Sequence, residues 1–229
     1  MPEHSNRDEI RRRLMRLVER YHDARRRGGS DEFLGRRVRA LAAYQSRRLA
    51  SSYADLHGMP RYRAAVDFFL EDLYGPHDLT GRDEQILRAL DKLQRFLPAG
   101  ALDALARAFE LHVLTIELDA ATAACLPGSG PVDQASYAAA YRAAGRQEDR
   151  ERQIALVGEI GSLLDGLAHR PEVGLAVRLA RRPAHAAGYG ALQDFLERGY
   201  DAFRAMSGAR EFLDAIDERE RALMQRLLT

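Results

Sequence analysis

Apolar residues recur along the chain at the three- and four-residue spacing of amphipathic helices. No segment alternates with the two-residue period of a strand between hairpin turns. The first predicted helix begins at a cap on Ser5 and ends before Gly28 and Gly29, and its apolar stripe consists of Ile10, Leu14, Leu17, Val18 and Tyr21. The pattern predicts an all-α fold, a helical bundle of eight to nine helices.

Turn signals divide the first half of the chain into helices of ordinary length. The predicted helices span about residues 30–58, 61–74, 80–97 and 100–126, with Gly or Pro at the junctions. The clearest loop is the Pro-Gly-Ser-Gly-Pro segment at residues 127–131. Its five residues suit an ordinary helix connection, so we predict one domain over residues 1–229, with a subdivision at this loop as the alternative.

The last predicted helix keeps its apolar stripe almost to the end of the sequence. Met206, Met224 and Leu228 add adaptable apolar surface close to it. Such a surface predicts a homodimer, in which each copy covers the stripe of the other. Packing of the stripe within the chain is the alternative.

Composition narrows the classes of protein to consider. Of the 229 residues, 46% are hydrophobic, the net charge is +1, and no apolar run is long enough to cross a membrane. The arginine-rich start lacks the apolar core of a secretory signal. The single cysteine, Cys125, excludes a disulfide framework and a cysteine-rich zinc site, and we predict it to be a small core residue in a cytoplasmic protein.

One short segment carries a resemblance to a known family. Residues 68–74 are Phe-Phe-Leu-Glu-Asp-Leu-Tyr, followed by Gly-Pro-His-Asp. The segment resembles the label of an uncharacterised group of bacterial helical proteins, the FFLEELY motif proteins, with Asp72 where the label has glutamate. The resemblance implies a bacterial cytoplasmic protein and assigns no catalytic residue.

The same segment has a physical interpretation. On a helix Phe69, Leu70 and Leu73 share the core face, and the following Gly75 stops the helix. A second hypothesis places a pocket mouth at this helix end, lined by Glu71, Tyr74, His77 and Asp78.

The fifth predicted helix is apolar on two opposite sides, which is typical of a helix at the centre of a bundle. Two polar strips run between these sides, the first with Glu110 and Glu117, the second with His112, Thr115 and Asp119. We predict that these side chains are partly buried and paired with arginines or tyrosines, Tyr53, Tyr62 and Tyr141 being candidates. A structural hydrogen-bond network is the favoured interpretation. The alternatives are that one strip faces solvent, or that the strips form a ligand or metal site.

The sequence contains few of the motifs that a bound cofactor requires. A di-iron bundle uses Glu-x-x-His pairs from two helices, and this chain has one such tetrad, from Glu19 to His22. A haem oxygenase-like protein could use His22 as its axial ligand, but the glycines it needs over the porphyrin are poorly placed. No nucleophile elbow or phosphate-binding loop is present.

Arginines also form a predicted basic face on the second helix. Arg36 and Arg47 are eleven residues apart, as are Arg37 and Arg48, so the four share one side. The near-neutral net charge and the absence of a recognition motif make nucleic acid an unlikely partner.

These observations leave the biochemical function unknown. A binding or interaction module, with a small molecule or a protein as its partner, fits the sequence best. The alternative is a cofactor- or metal-dependent enzyme or carrier that uses the carboxylates and histidine of the fifth helix. The cofactor, if there is one, is unknown.

Overall fold

The structure, a computed structural model, describes residues 2–30, 32–73, 85, 87–89, 99–128 and 130–229. In this part of the chain it contains no strand, which confirms the predicted all-α fold. The elements are α1 (Pro2–Ser30), α2 (Glu32–Ser52), α3 (Ala54–Gly58), α4 (Pro60–Phe68), a π-helical segment (Phe69–Leu73), α5 (Ala99–Ala124), α6 (Gln134–Ala144), α7 (Gln147–Ala168), α8 (Pro171–Ala186), α9 (Gly190–Met206) and α10 (Arg210–Leu228). Most of the predicted helix at residues 80–97 lies outside the described residues.

The helix boundaries correct some predicted ones. Helix α1 begins at Pro2 rather than at a Ser5 cap, since proline is well suited to the first helical position, where no amide hydrogen is needed. Gly28 and Gly29 lie inside this helix, in its last turn, although glycine has a low helix propensity. The predicted second helix is divided at Tyr53 into α2 and α3. Ten α-helices and a π-helical segment, counted over the described residues, slightly exceed the predicted eight to nine helices.

The chain divides into two compact units, each built from separate stretches of sequence. Unit 1 contains residues 1–45, 96–160 and 214–229, and unit 2 contains residues 46–95 and 161–213. The loop at residues 127–131 lies inside unit 1, so no boundary between units falls there. A single domain over the whole chain stays a prediction.

The core of unit 1 forms around α1 and α5. Leu14, Leu17 and Tyr21 are buried along α1, and Phe109 and Val113 are buried along α5. A second cluster joins α2, α6 and α10, and its buried members are Leu41, Ala123, Leu126, Val132, Tyr137, Ala140, Tyr141, Met224 and Leu227. The predicted apolar stripe of α1 is therefore confirmed as a core stripe.

In unit 2 the aromatic segment of α4 passes into the π-helical turn. Phe68 is buried, with its ring centroid 5.2 Å from that of Phe195, while Phe69 and Leu70 are half-buried. A π-helical turn has wider spacing than an α-helix, so it changes which residues face inward. A single α-helical register places Phe69, Leu70 and Leu73 on the core face; Phe68, the last residue of α4, is buried as well because its ring packs on Phe195.

Helices α8 and α9 form an antiparallel hairpin in unit 2. Gly174 packs against the hydroxyl end of Tyr200, where a Cβ would collide with it. Further along, the buried Gln193 side chain donates to the Val177 carbonyl at 2.6 Å, and His185 Nε2 lies 3.0 Å from Asp194 Oδ1. Gly174 is the only fully buried residue of α8, so α8 contributes little to the core.

The burial of individual side chains bears on two expectations about apolar residues. Met206 and Met224 are buried and Leu228 is half-buried, so the apolar surface from which a homodimer was predicted packs largely within the chain. The prediction that Cys125 is a core residue is wrong: α5 ends at Ala124, and Cys125 is exposed in the turn that follows. Among the described residues, no helix is both long and apolar enough to cross a membrane.

Candidate functional site

The polar strips of α5 lie between neighbouring helices. Glu110, His112, Glu117 and Asp119 are all half-buried, as the helical wheel predicts. The contacts of each side chain show whether it is available to a ligand.

Glu110 belongs to a closed ring of six side chains with alternating charge. The ring runs through Arg13, Asp103, Arg107, Glu159, Arg152 and Glu110 and returns to Arg13. Four of its links are Arg13 to Asp103 at 3.3 Å, Arg107 to Asp103 at 2.8 Å, Arg152 to Glu159 at 2.8 Å and Arg152 to Glu110 at 3.0 Å. Three arginines balance three acids, so the ring has no net charge and joins α1, α5 and α7.

The ring keeps Glu110 ionised. Burial opposes ionisation, but hydrogen bonds from Arg152 and Arg13 outweigh it and lower the pKa of Glu110 below its ordinary value. A carboxylate held in this way has no proton to donate near neutral pH. Its oxygens are also occupied by two guanidinium groups, so the ring is suited to joining helices rather than to catalysis.

Glu117 has a similar pair of cationic partners. Arg20 donates to it through Nε at 3.0 Å and Nη2 at 2.8 Å, and Arg146 donates from 3.3 Å. Burial again opposes ionisation, and the hydrogen bond and charge of Arg20 lower the pKa of Glu117. Arg13 and Arg20 are seven residues apart, as are Glu110 and Glu117, so α1 and α5 run parallel with matching charge positions.

Asp119 and His112, on the second strip, have different surroundings. Asp119 Oδ1 accepts a hydrogen bond from Gln45 at 3.0 Å, and burial raises the pKa of Asp119 to about 6. The His112 ring stacks on Tyr21, with 5.8 Å between the ring centroids. The two side chains therefore have separate neighbours.

Arg150 is a polar core residue that the sequence analysis missed. It is 6% exposed, donates to the Gly145 carbonyl and to the Thr122 hydroxyl at 3.0 Å each, and lies over the Tyr141 ring at 3.5 Å. Its charge also acts on Asp119, whose pKa it lowers against the larger effect of burial. Tyr141, a predicted partner of the carboxylates of α5, packs its ring against this arginine.

The arginines of α2 have individual roles. Arg36 pairs with Glu32 at 2.7 Å, and Arg37 donates to the Ala124 and Gly128 carbonyls at 3.2 and 3.1 Å. Arg37 therefore satisfies carbonyls at and just beyond the C-terminal end of α5, where a cation is favourable. Arg47 is exposed and Arg48 is half-buried. A basic face for an anionic partner stays a prediction.

The remaining candidate residues have few described contacts. Glu71 is exposed, and Tyr74, His77 and Asp78 lie outside the described residues. Tyr62, another tyrosine considered for the carboxylates of α5, donates its hydroxyl to Glu211 at 2.8 Å. Among the described residues, no group of three or more His, Cys, Asp or Glu side chains is placed to hold a metal ion.

Exposed apolar side chains concentrate in unit 2. Of the eight large ones in the described part of the chain, six belong to this unit: Met59, Leu163, Leu164, Leu175, Leu179 and Leu196. The two most exposed of the six are on α8, where Leu175 is 59% and Leu179 is 67% exposed. Together with the exposed Arg178 and Arg182 they form the α8 face, defined by these four residues.

The α8 face is not among the predicted sites. The residue pattern predicts a short helical piece that ends near Arg182 and Pro183, whereas α8 continues through this proline to Ala186. The signal was present in the sequence, because residues 175, 178, 179 and 182 have the spacing of one helix face.

Comparison with known proteins places the chain in a family. The sequence model of a domain of unknown function matches residues 24–229. The chain belongs to the DUF8198 family. No curated protein matches it, and no solved structure does.

The match covers the whole α8 face and only part of the ion-pair network of unit 1 in this DUF8198 chain. The α8 face lies within the matched residues, whereas Arg13 and Arg20 of α1 precede them. The acids that these arginines hold, Glu110 and Glu117, lie within the match.

Proposed function

We propose that this DUF8198 chain is a binding module that docks a partner protein on the α8 face. The observation that carries the proposal is the exposure of Leu175 and Leu179, one turn apart on a helix whose opposite side packs on α9. Contiguous exposed apolar surface with a polar rim marks interaction sites, and the two leucines with the neighbouring arginines have this arrangement.

The size of the exposed surface supports this function. Burying a leucine side chain completely contributes about 1.5–3 kcal/mol. Because Leu175 and Leu179 are more than half exposed, a partner that covers both gains on the order of 2–3 kcal/mol from them. This contribution changes an affinity by roughly a hundredfold.

The enzyme alternative is less well supported. Glu110 and Glu117 are its main candidate residues, and each is held ionised by two arginines. A substrate or metal ion at either carboxylate would have to displace a guanidinium group.

Photocrosslinking in the native host tests the proposal. We expect p-benzoylphenylalanine at position 179 to give a discrete adduct of higher mass, and Leu175→Asp in the same chain to remove it. The matched control places the same probe at position 222, which is exposed on α10. Adduct formation at position 179 no greater than at position 222 would overturn the proposal.

Two finer proposals rest on the sequence. We propose from the FFLEELY resemblance that the chain is bacterial and cytoplasmic, which localisation of a tagged chain in its source cells tests. A homodimer stays a prediction, and light scattering over a range of protein concentrations tests it.

A further inference from the structure

The four residues of the α8 face form one continuous patch. Relative to Leu175, the other three follow at the third, fourth and seventh positions, which are neighbours on a helix surface. The patch points away from α9, since Gly174 and the Val177 carbonyl make the contacts with that helix.

The charge of the α8 face is not balanced within the described structure. Arg181 lies 3.4 Å from Glu197, and His185 lies 3.0 Å from Asp194, so these two side chains of α8's last turns have acidic neighbours on α9. Arg178 and Arg182 make no ion pair with the described residues. Glu172 is the sole acidic residue of α8, and it lies in the first turn. The two leucines therefore lie beside two positive charges that no described acidic side chain pairs with.

We propose that the occupant of the α8 face is an acidic amphipathic helix of another protein, an inference that rests on the proposed function. Apolar side chains of that helix cover Leu175 and Leu179. Its Asp or Glu side chains pair with Arg178 and Arg182, because complementary charge fixes the register of docked helices.

Two other occupants fit the face less well. A helix that lies on an anionic membrane buries a continuous apolar face of Trp, Phe or Leu side chains, whereas α8 exposes two large apolar side chains, Leu175 and Leu179, and has no Phe, Tyr or Trp. In a symmetric pair of chains joined face to face, Arg178 and Arg182 of both copies would lie close together, and like charges would oppose the contact.

Mass spectrometry of the adduct formed from position 179 tests the partner's chemistry. We expect the crosslinked peptide to contain more Asp and Glu than Lys and Arg, with apolar residues at helical spacing. We expect Arg178→Glu with Arg182→Glu to lower adduct yield at least tenfold. The matched control is Arg226→Glu, at an exposed position of α10, with yield within twofold of the unsubstituted chain.

The outcomes separate this inference from the proposed function. An adduct on a lipid, on a second copy of this chain, or on a basic or neutral peptide overturns the acidic-helix inference. Absence of any adduct at position 179 overturns the proposed function itself. If the double Glu variant fails to fold, Arg178→Gln with Arg182→Gln replaces it, with an expected loss of at least threefold and no change in melting temperature. A yield that does not change in that variant also overturns the inference.

Discussion

Replacing Glu110 by glutamine is expected to destabilise unit 1, because Glu110 closes the ring of ion pairs between α1, α5 and α7. Glutamine keeps the shape of the side chain but removes its charge. The glutamine side chain also places an NH2 group beside the guanidinium groups, and because both groups are donors, no hydrogen bond forms between them. Arg13 and Arg152 each keep one acidic partner, Asp103 and Glu159, so the ring opens without stranding either arginine.

The expected loss is about 2 kcal/mol. A hydrogen bond to a charged group contributes about 1.5–3 kcal/mol when buried, and Glu110 accepts from two arginines. The side chains of Glu110, Arg13 and Arg152 are 17%, 28% and 37% exposed, so solvent weakens both interactions and the sum is reduced accordingly. For a chain of this length, a loss of this size lowers the melting temperature by roughly 4–8 °C.

The loss also has a defined pH dependence. The pKa of Glu110 is lower in the folded chain than the value of 4.5 expected in the unfolded chain. Stability from its ionisation is therefore fully present above about pH 5 and is lost as the pH falls through the folded value. The difference between the wild-type chain and the Glu110→Gln variant should stay constant from pH 7 to pH 5 and shrink below pH 4.5.

Urea unfolding followed by circular dichroism measures this difference. The matched control is Glu218→Gln, at an exposed position on α10, which should change the free energy of unfolding by less than about 0.5 kcal/mol. A Glu110→Gln variant as stable as this control would contradict a structural role for the ring.

Three further substitutions test other parts of the structure. The pKa of Asp119 is about 6 in the folded chain against 3.8 in the unfolded chain, which corresponds to a cost in stability on the order of 3 kcal/mol at pH 7. This cost vanishes below pH 4, where the carboxyl group is protonated in both states. Urea unfolding should therefore show that Asp119→Asn raises stability at pH 7 and not at pH 4. Gly174→Ala should lower the melting temperature, because the added Cβ displaces the Tyr200 side chain. Gly166→Ala is the control, since that position is open to solvent, and it should not lower the melting temperature. Equal effects of the two substitutions would contradict the close packing of α8 on α9. Arg37→Ala should cost about 1 kcal/mol through the loss of its bonds to carbonyls at the end of α5, and an unchanged unfolding midpoint would contradict that capping role.

Local patterns predicted the fold where burial is periodic. Leu14, Leu17 and Tyr21 follow the helical repeat of α1, and all are buried. The π-helical turn after Phe68 was not predicted. The rings of Phe68 and Phe69 contact Phe195 and Phe212, which lie far away in the sequence and do not appear on a wheel of one helix. Pro183 misled the prediction of where α8 ends, since a proline usually stops a helix and here lies within its last turn.

The candidate site was predictable only in part. A helical wheel places Glu110 and Glu117 between two apolar sides, and their half-burial follows from that position. Their partners Arg13 and Arg20 each lie 97 positions earlier in the chain, so a wheel of one helix cannot identify them. The α8 face was missed for another reason: burial of α8 depends on how much of it α9 covers.

Carbene footprinting tests most directly whether a partner covers the α8 face in the native host. The modification of residues 171–186 is measured in the purified chain and in the same chain within a native-host extract, with residues 210–228 as the internal reference. We predict that modification of Leu175 and Leu179 falls at least fivefold in the extract, while the reference residues of α10 keep their labelling. Equal modification of the two leucines in both samples, or protection confined to α10, would contradict docking on this face.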